Sequence, residues 1–207
     1  MKLYNKLDEI LNQPSKIKVL RFLFAEGGEH TGRGVAKATG LSPSMTHGVL
    51  GEMKAVGIIG AQRKDNAVLY CLKRDNYFVK KLLAVLFEKE EGIYDDVVDF
   101  IKTKLKKYKA TINSLAVFGS VAQGNESKES DFDLLVVVKL EQNRVRIESV
   151  LDELCVDLAK EFGIALSPYI LSRARFKKRY LEKKKVIEAI IKNNQLIYGE
   201  PVERIIA

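Results

Sequence analysis

Two carboxylates set two residues apart at the head of an apolar run constrain this chain more than any other feature. Asp131-Phe132-Asp133 continues without a break into Leu134-Leu135-Val136-Val137-Val138, a run fit for a buried strand. Side chains at i and i+2 of a strand leave the same face, so both acids point one way. Burying two unpaired like charges costs several kcal/mol, and something positive has to meet them. A second apolar run, Leu115-Ala116-Val117-Phe118, ends in Gly119-Ser120, with ten residues between it and Asp131. Glycine lets the backbone turn sharply and approach a ligand closely. N–H groups at a helix start suit a phosphate, and Ser120 adds a hydroxyl. With only 2 His and 2 Cys in 207 residues, hard oxygen ligands point to Mg²⁺ or Mn²⁺. The expected site is therefore a metal–triphosphate site, with the metal on Asp131 and Asp133 and phosphates on Gly119 and Ser120.

Charge is distributed unevenly. The chain carries 35 Lys+Arg against 27 Asp+Glu, a formal net charge of +8. Residues 1–77 alone hold +5 of it, which favours an anionic partner there, nucleic acid above all. Hydrophobic residues at 46% and charged residues at 30% fit a folded globular protein and exclude a disordered one. No apolar stretch reaches the length of a membrane span. The N-terminal MKLYNKLDEI has no apolar signal core, and Cys71 and Cys155 are too few for a disulfide framework or a four-ligand zinc site. A cytoplasmic protein is expected.

Along the first third, apolar residues recur at helical spacing over 15–25 behind Pro14-Ser15, and Gly27-Gly28 stops them. Thr31 suits the cap of a short helix over 32–39 that ends at Gly40. Ser42 suits the cap of a third helix with Pro43 first and Met45, Val49, Met53 and Val56 inward. Strands over 58–62 and 67–72 follow, joined by the polar turn Arg63-Lys64-Asp65-Asn66. This order resembles the winged helix-turn-helix domain over about residues 5–75. The resemblance implies a third helix entering the major groove, with Ser44, Met45, Thr46, His47 and Lys54 toward bases. It implies Arg33 and Lys37 at phosphates and Arg63 and Lys64 on the wing. The third helix is poor in Arg, Asn and Gln, the usual base readers, so a protein-docking role for this domain is the competing expectation.

Residues 78–108 keep helical periodicity, broken once by Gly92, and predict a helical linker of two helices that pack on one domain or form the seam of a homodimer. The Gly-Ser and Asp-X-Asp elements, each on an apolar strand, resemble the nucleotidyltransferase superfamily related to DNA polymerase β. Their spacing resembles its minimal branch, which includes antitoxin partners of HEPN toxins. The resemblance covers about 109–207 and implies an α+β chain: an N-terminal winged helix (1–77), the linker (78–108) and a mixed sheet flanked by helices (109–207). Residues 145–162 fit its crossover helix, 165–171 the next strand and 196–199 a short terminal strand. Between them 173–193 fits a final helix, whose bases Arg173, Arg175, Lys177, Lys178, Arg179, Lys183, Lys184 and Lys185 either bind phosphates or an acidic macromolecular substrate, or form a solvated face with Phe176, Tyr180, Leu181 and Ile187 buried. The resemblance implies transfer of a nucleoside monophosphate, AMP above all, from Mg–ATP to an acceptor, a protein tyrosine or toxin partner among them. Two departures weaken that activity. The strand over 165–171 carries Ser167 where the superfamily has a third carboxylate, with Asp157 and Glu161 as the remaining substitutes. Gln123 stands where many relatives carry Arg. The alternative is a nucleotide-sensing transcriptional regulator, or an antitoxin-like binding protein, with little transferase activity.

Overall fold

The computed structural model describes residues 4–127 and 129–206; residues 1–3, 128 and 207 of the expected domains lie outside the described residues. Contacts divide the chain into two compact units, Met1–Ile93 and Tyr94–Ala207.

The first unit runs α1 (Lys6–Ile10), α2 (Pro14–Glu26), β1 (His30–Thr31), α3 (Gly32–Thr39), α4 (Pro43–Ala55), β2 (Ile59–Lys64), β3 (Ala67–Leu72), a π-helical turn (Val79–Leu83) and α5 (Ala84–Glu91). Local chemistry sets the helix ends. The Thr31 hydroxyl accepts the Gly34 N–H at 3.1 Å at the start of α3, and Gly40 closes that helix at φ 66°. The Ser42 hydroxyl accepts the Met45 N–H at 3.2 Å, with Pro43 in the first turn of α4. The strands pair antiparallel in the order β1-β3-β2. Ile59 faces Leu72 and Lys64 faces Ala67, so Arg63 and Lys64 ride on the strand and Asp65-Asn66 alone makes the turn. Helices and sheet meet over one core that includes Leu20, Leu23, Val35, Leu50, Met53 and Ile58. This is a winged helix-turn-helix. Within α4, Met45 is exposed and Thr46 is buried in its place. The helical stretch 78–108 is shared between the units: Val79, Leu83 and Phe87 complete this core, while Val97, Val98, Ile101 and Leu105 belong to the other.

The second unit runs α6 (Ile93–Leu105), β4 (Ile112–Phe118), α7 (Gly119–Ala122), β5 (Phe132–Val138), α8 (Arg144–Phe162), β6 (Leu166–Ser172), α9 (Arg173–Leu181), α10 (Lys185–Lys192), β7 (Asn194–Gly199) and α11 (Val202–Ile206). Its mixed sheet has the order β6-β5-β4-β7, with β5 and β6 parallel and the other pairs antiparallel. Side-chain alternation gives the sheet two buried faces. Leu115, Val117, Leu134 and Val136 pack under α6 and α8; Ala116, Leu135, Val137 and Leu171 pack under Phe176, Ile187, Ile190 and Val202 of α9, α10 and α11. The final helix expected over 173–193 is two helices, because Lys183 adopts φ 53° and breaks the ladder. Tyr180 and Leu181, expected to be buried, are exposed beside that break.

Candidate functional site

The site forms where the C-terminal end of β4 meets the start of β5. Phe118 pairs with Asp133 across the two strands, and the chain leaves β4 through Gly119 at φ 75°. A Cβ built on Gly119 would lie 2.0 Å from Asp133 Oδ2. The carboxylate therefore sits directly on the glycine backbone, and both the dihedral and the space demand glycine here. The spacing between the Gly-Ser and Asp-X-Asp elements thus becomes physical contact. Ser120 follows in α7, half-buried, and its carbonyl accepts the N–H groups of Gln123 and Asn125 at 3.2 and 3.1 Å, which curls the loop back.

Asp133 alternates with Leu135 and Val137, so it lies on the sheet face covered by α9, α10 and α11. Asp131 stands one residue before β5 and is exposed. Burial pushes the Asp133 carboxyl above the usual range, the neighbouring Asp131 charge pushes it further, and a hydrogen bond from Ser167 works the other way. Neither carboxylate has a basic partner among the described residues. Two close acids held without a counter-charge are a donor set suited to a hard divalent cation. Among the described residues no third His, Cys, Asp or Glu joins them. The two substitutes stand elsewhere: Asp157 pairs with Lys104 at 2.6 Å, and Glu161 is exposed on the same helix. That helix, α8, covers the sheet face opposite to Asp133.

β6 supplies the next wall. Asp133 is in register with Ser167, and Leu135 with Tyr169. The Tyr169 ring meets Phe118 edge-on at 6.3 Å between centroids, and Arg179 of α9 hydrogen-bonds the Tyr169 hydroxyl with its guanidinium 5.7 Å from the ring centre. On the opposite flank Gln195 of β7 donates to the Ala122 carbonyl at 2.9 Å and accepts from the Tyr94 hydroxyl at 2.5 Å, which pins α7. Sequence reasoning did not find Tyr169, Gln195 or Tyr94, and it named Arg179 only among the bases of one helix without singling it out. Each depends on strand register or on a contact across the chain, for which no local pattern exists.

In the first unit Arg33 and His47 line one groove of about 560 Å³ with Thr31, Pro43, Asn66 and Tyr70, between the starts of α3 and α4 and the wing. Lys37, Ser44, Lys54, Arg63 and Lys64 are exposed outside it. None of the five basic residues has a carboxylate partner among the described residues. Thr46, expected to face bases, is fully buried, and its hydroxyl donates to the Ser42 carbonyl at 3.0 Å. It is removed from the surface set: its phase on α4 points it into the core.

A family model described as a nucleotidyltransferase domain matches residues 95–191. The chain is 30% identical over 83 residues to MJ0604 of Methanocaldococcus jannaschii, named there as a candidate protein adenylyltransferase; the match spans 40% of this chain and 77% of that one. A second candidate protein adenylyltransferase of that organism, MJ1305, is 30% identical over 84 residues, 40% of this chain and 57% of its own. Among solved structures, NolR from Sinorhizobium fredii is similar at 24% identity and a TM-score of 0.34, over 40% of this chain and 77% of NolR. With the sheet, the Gly-Ser turn and the paired acids in place, the chain belongs to the nucleotidyltransferase domain family. None of the helices among its described residues is long and apolar enough to cross a membrane.

Proposed function

We propose that the second unit binds a metal-complexed nucleoside triphosphate and transfers its nucleoside monophosphate to an acceptor. The observation that carries this reading is the seating of the Asp133 carboxylate on the Gly119 turn, with Asp131 beside it. Asp131 and Asp133 would hold Mg²⁺ or Mn²⁺, and Gly119 and Ser120 would cradle the phosphates. A bound divalent ion supplies charge neutralisation at the phosphates. In the transfer, the acceptor hydroxyl oxygen forms a bond to the α-phosphorus and its proton passes to solvent, the bond from that phosphorus to the bridging oxygen breaks, and pyrophosphate leaves with the electron pair. Adenylyl transfer to a protein follows the names of the two archaeal relatives; a tyrosine or a toxin partner as the acceptor follows from the family resemblance alone.

The first unit binds DNA in this reading. Its exposed, unpaired Arg33, Lys37, Arg63 and Lys64 face the DNA backbone, while Ser44, Met45, His47 and Lys54 approach base edges. The chain works in the cytoplasm, with homodimerisation through the helices around α5 as a further element. Transfer from α-labelled ATP to protein or oligonucleotide acceptors tests the enzymatic reading. The wild type labels an acceptor; Asp131→Asn and Asp133→Asn each lower labelling at least a hundredfold. Equal labelling by the three proteins would refute it.

A second reading, a regulator that senses nucleotide without turning it over, draws on Ser167. Its hydroxyl donates to Asp133 and cannot take a proton from an acceptor. Tight Mg–ATP binding that alters DNA affinity, with no labelled acceptor, decides for that reading.

A further inference from the structure

Over the sheet face that carries Asp133, α9 places a cation that no acid among the described residues offsets. Arg173 and Arg175 of α9 are each spent on an acid, Glu200 at 3.3 Å and Glu141 at 3.2 Å. Arg179 has no carboxylate partner among the described residues; it donates instead to a neutral oxygen, the Tyr169 hydroxyl. A phenol that accepts from a guanidinium keeps its own O–H proton to give, and no acceptor for that proton occurs among the described residues. Tyr169 lies two residues beyond Ser167 on the same strand face, about 7 Å along β6, and Ser167 is the register partner of Asp133. An open phenolic donor and an open cation thus stand together one strand-repeat from the register position of Asp133.

We propose that Tyr169 and Arg179 form an anion subsite that takes a phosphate group on the β6 side of the carboxylate pair. Arg179 supplies the charge and part of a planar donor fork, and Tyr169 supplies the second donor and fixes the guanidinium by stacking. The ring contact of Tyr169 with Phe118 holds the pair in line with the Gly119 turn. Two sources offer this chemistry: the triphosphate of the nucleotide and a phosphate borne by the acceptor. The subsite deepens the nucleotide-transfer reading, yet its own recognition chemistry needs only a phosphate.

Titration calorimetry of the full chain tests it, first with pyrophosphate in the absence of metal, then with Mg–ATP. The wild type binds pyrophosphate, Arg179→Gln weakens that binding at least tenfold, Tyr169→Phe weakens it about threefold, and Arg179→Lys falls between. Asp133→Asn leaves it unchanged or tightens it, because a neighbouring negative charge is removed. Urea melts of each variant confirm that the second unit is intact, and Tyr169→Phe, which keeps the ring, serves if Arg179→Gln does not fold. If Arg179→Gln weakens Mg–ATP in step with pyrophosphate, the phosphate is the nucleotide's own. If it weakens pyrophosphate alone, the phosphate belongs to the acceptor. Arg179-dependent pyrophosphate binding without any Mg–ATP binding keeps the subsite and removes the nucleotide-transfer reading. A wild type that binds no pyrophosphate, or folded variants that bind it as the wild type does, overturns the subsite.

Discussion

Replacing Gly119 by Ala tests the central contact of the site. The new Cβ would stand 2.0 Å from Asp133 Oδ2 and 3.0 Å from Cγ, against 3.4 Å or more for an ordinary contact. Two costs add. Holding an L-residue at φ 75° costs about 1 kcal/mol. Relieving the overlap turns the Asp133 side chain off its rotamer, about 1 kcal/mol more, or shifts the β4–β5 corner. The second unit should lose about 2–3 kcal/mol in urea denaturation. Gly124→Ala is the control: its φ is 65° but an added Cβ meets nothing within 4 Å, so only the dihedral cost of about 1 kcal/mol applies. Combining Gly119→Ala with Asp133→Ala removes the clashing Oδ2 and Cγ and leaves Cβ at 3.3 Å; the double mutant should recover about 1 kcal/mol of coupling. Mg–ATP affinity, read by calorimetry, should drop at least tenfold in Gly119→Ala and stay within twofold in Gly124→Ala. If Gly119→Ala costs no more than the control and shows no coupling to Asp133, the carboxylate does not rest on that turn.

Further outcomes follow from single contacts. Asp133 is held above its ordinary carboxyl range, so the folded state binds its proton more readily than the unfolded chain, and this residue's contribution to stability falls as pH rises through that window. Asp133→Asn should therefore raise the unfolding midpoint at neutral pH without metal, with the gain vanishing in acid, as parallel urea melts would show. On the wing, Arg63→Ala and Lys64→Ala should each reduce the slope of log affinity against log salt by about 0.9, equally on unrelated DNA sequences; slopes that stay unchanged would leave protein docking as the role of the first unit. Lys16, 3% exposed, reaches Glu52 at 2.7 Å and the Glu9 carbonyl at 2.8 Å. Glu52→Gln should cost about 1–2 kcal/mol by leaving a buried cation underpaired, a loss that Lys16→Met in the same background should largely cancel.

What the sequence discloses about this protein divides along the range of the interactions involved. Capped helices such as α3 and α4 are written locally: Thr31, Gly40, Ser42 and Pro43 carry their ends, and each does its expected work. The apolar runs of β4 and β5 are equally local. The inward phase of α4 is harder to read, because Met45 is the more apolar of two adjacent residues. Thr46 nonetheless turns inward, since its hydroxyl is satisfied by the Ser42 carbonyl one turn earlier. The break between α9 and α10 falls at Lys183 in the left-handed region with no glycine to announce it. Gln195 and Tyr94, 101 residues apart, are joined only because β7 closes the sheet beside β4. At the site the sequence yields the two acids, the Gly-Ser pair and Ser167; strand register adds Tyr169, and the contact of α9 with that ring singles out Arg179.

Ser167 tests whether the missing third carboxylate limits this site. It is the parallel neighbour of Asp133, and adjacent strands lie about 4.8 Å apart. Ser167→Asp would set a third negative charge beside a carboxyl already destabilised by its surroundings, and would also remove the hydroxyl that donates to it. At an effective dielectric constant near 20, one added unit charge about 5 Å away costs roughly 3 kcal/mol, reduced by solvent at this half-exposed site to about 1–2 kcal/mol. Without metal the variant should unfold at lower urea than the wild type. Mg²⁺ should then return more stability to the variant than to the wild type, because three acids bind a divalent ion more tightly than two. The readout is the Mg²⁺-dependent change in midpoint, which needs no catalysis and no acceptor. If Mg²⁺ shifts both proteins equally, residue 167 does not face the ion and the argument from register fails. If it shifts the variant more, the wild-type chain has a metal site short of one ligand, and the place of that ligand is Ser167.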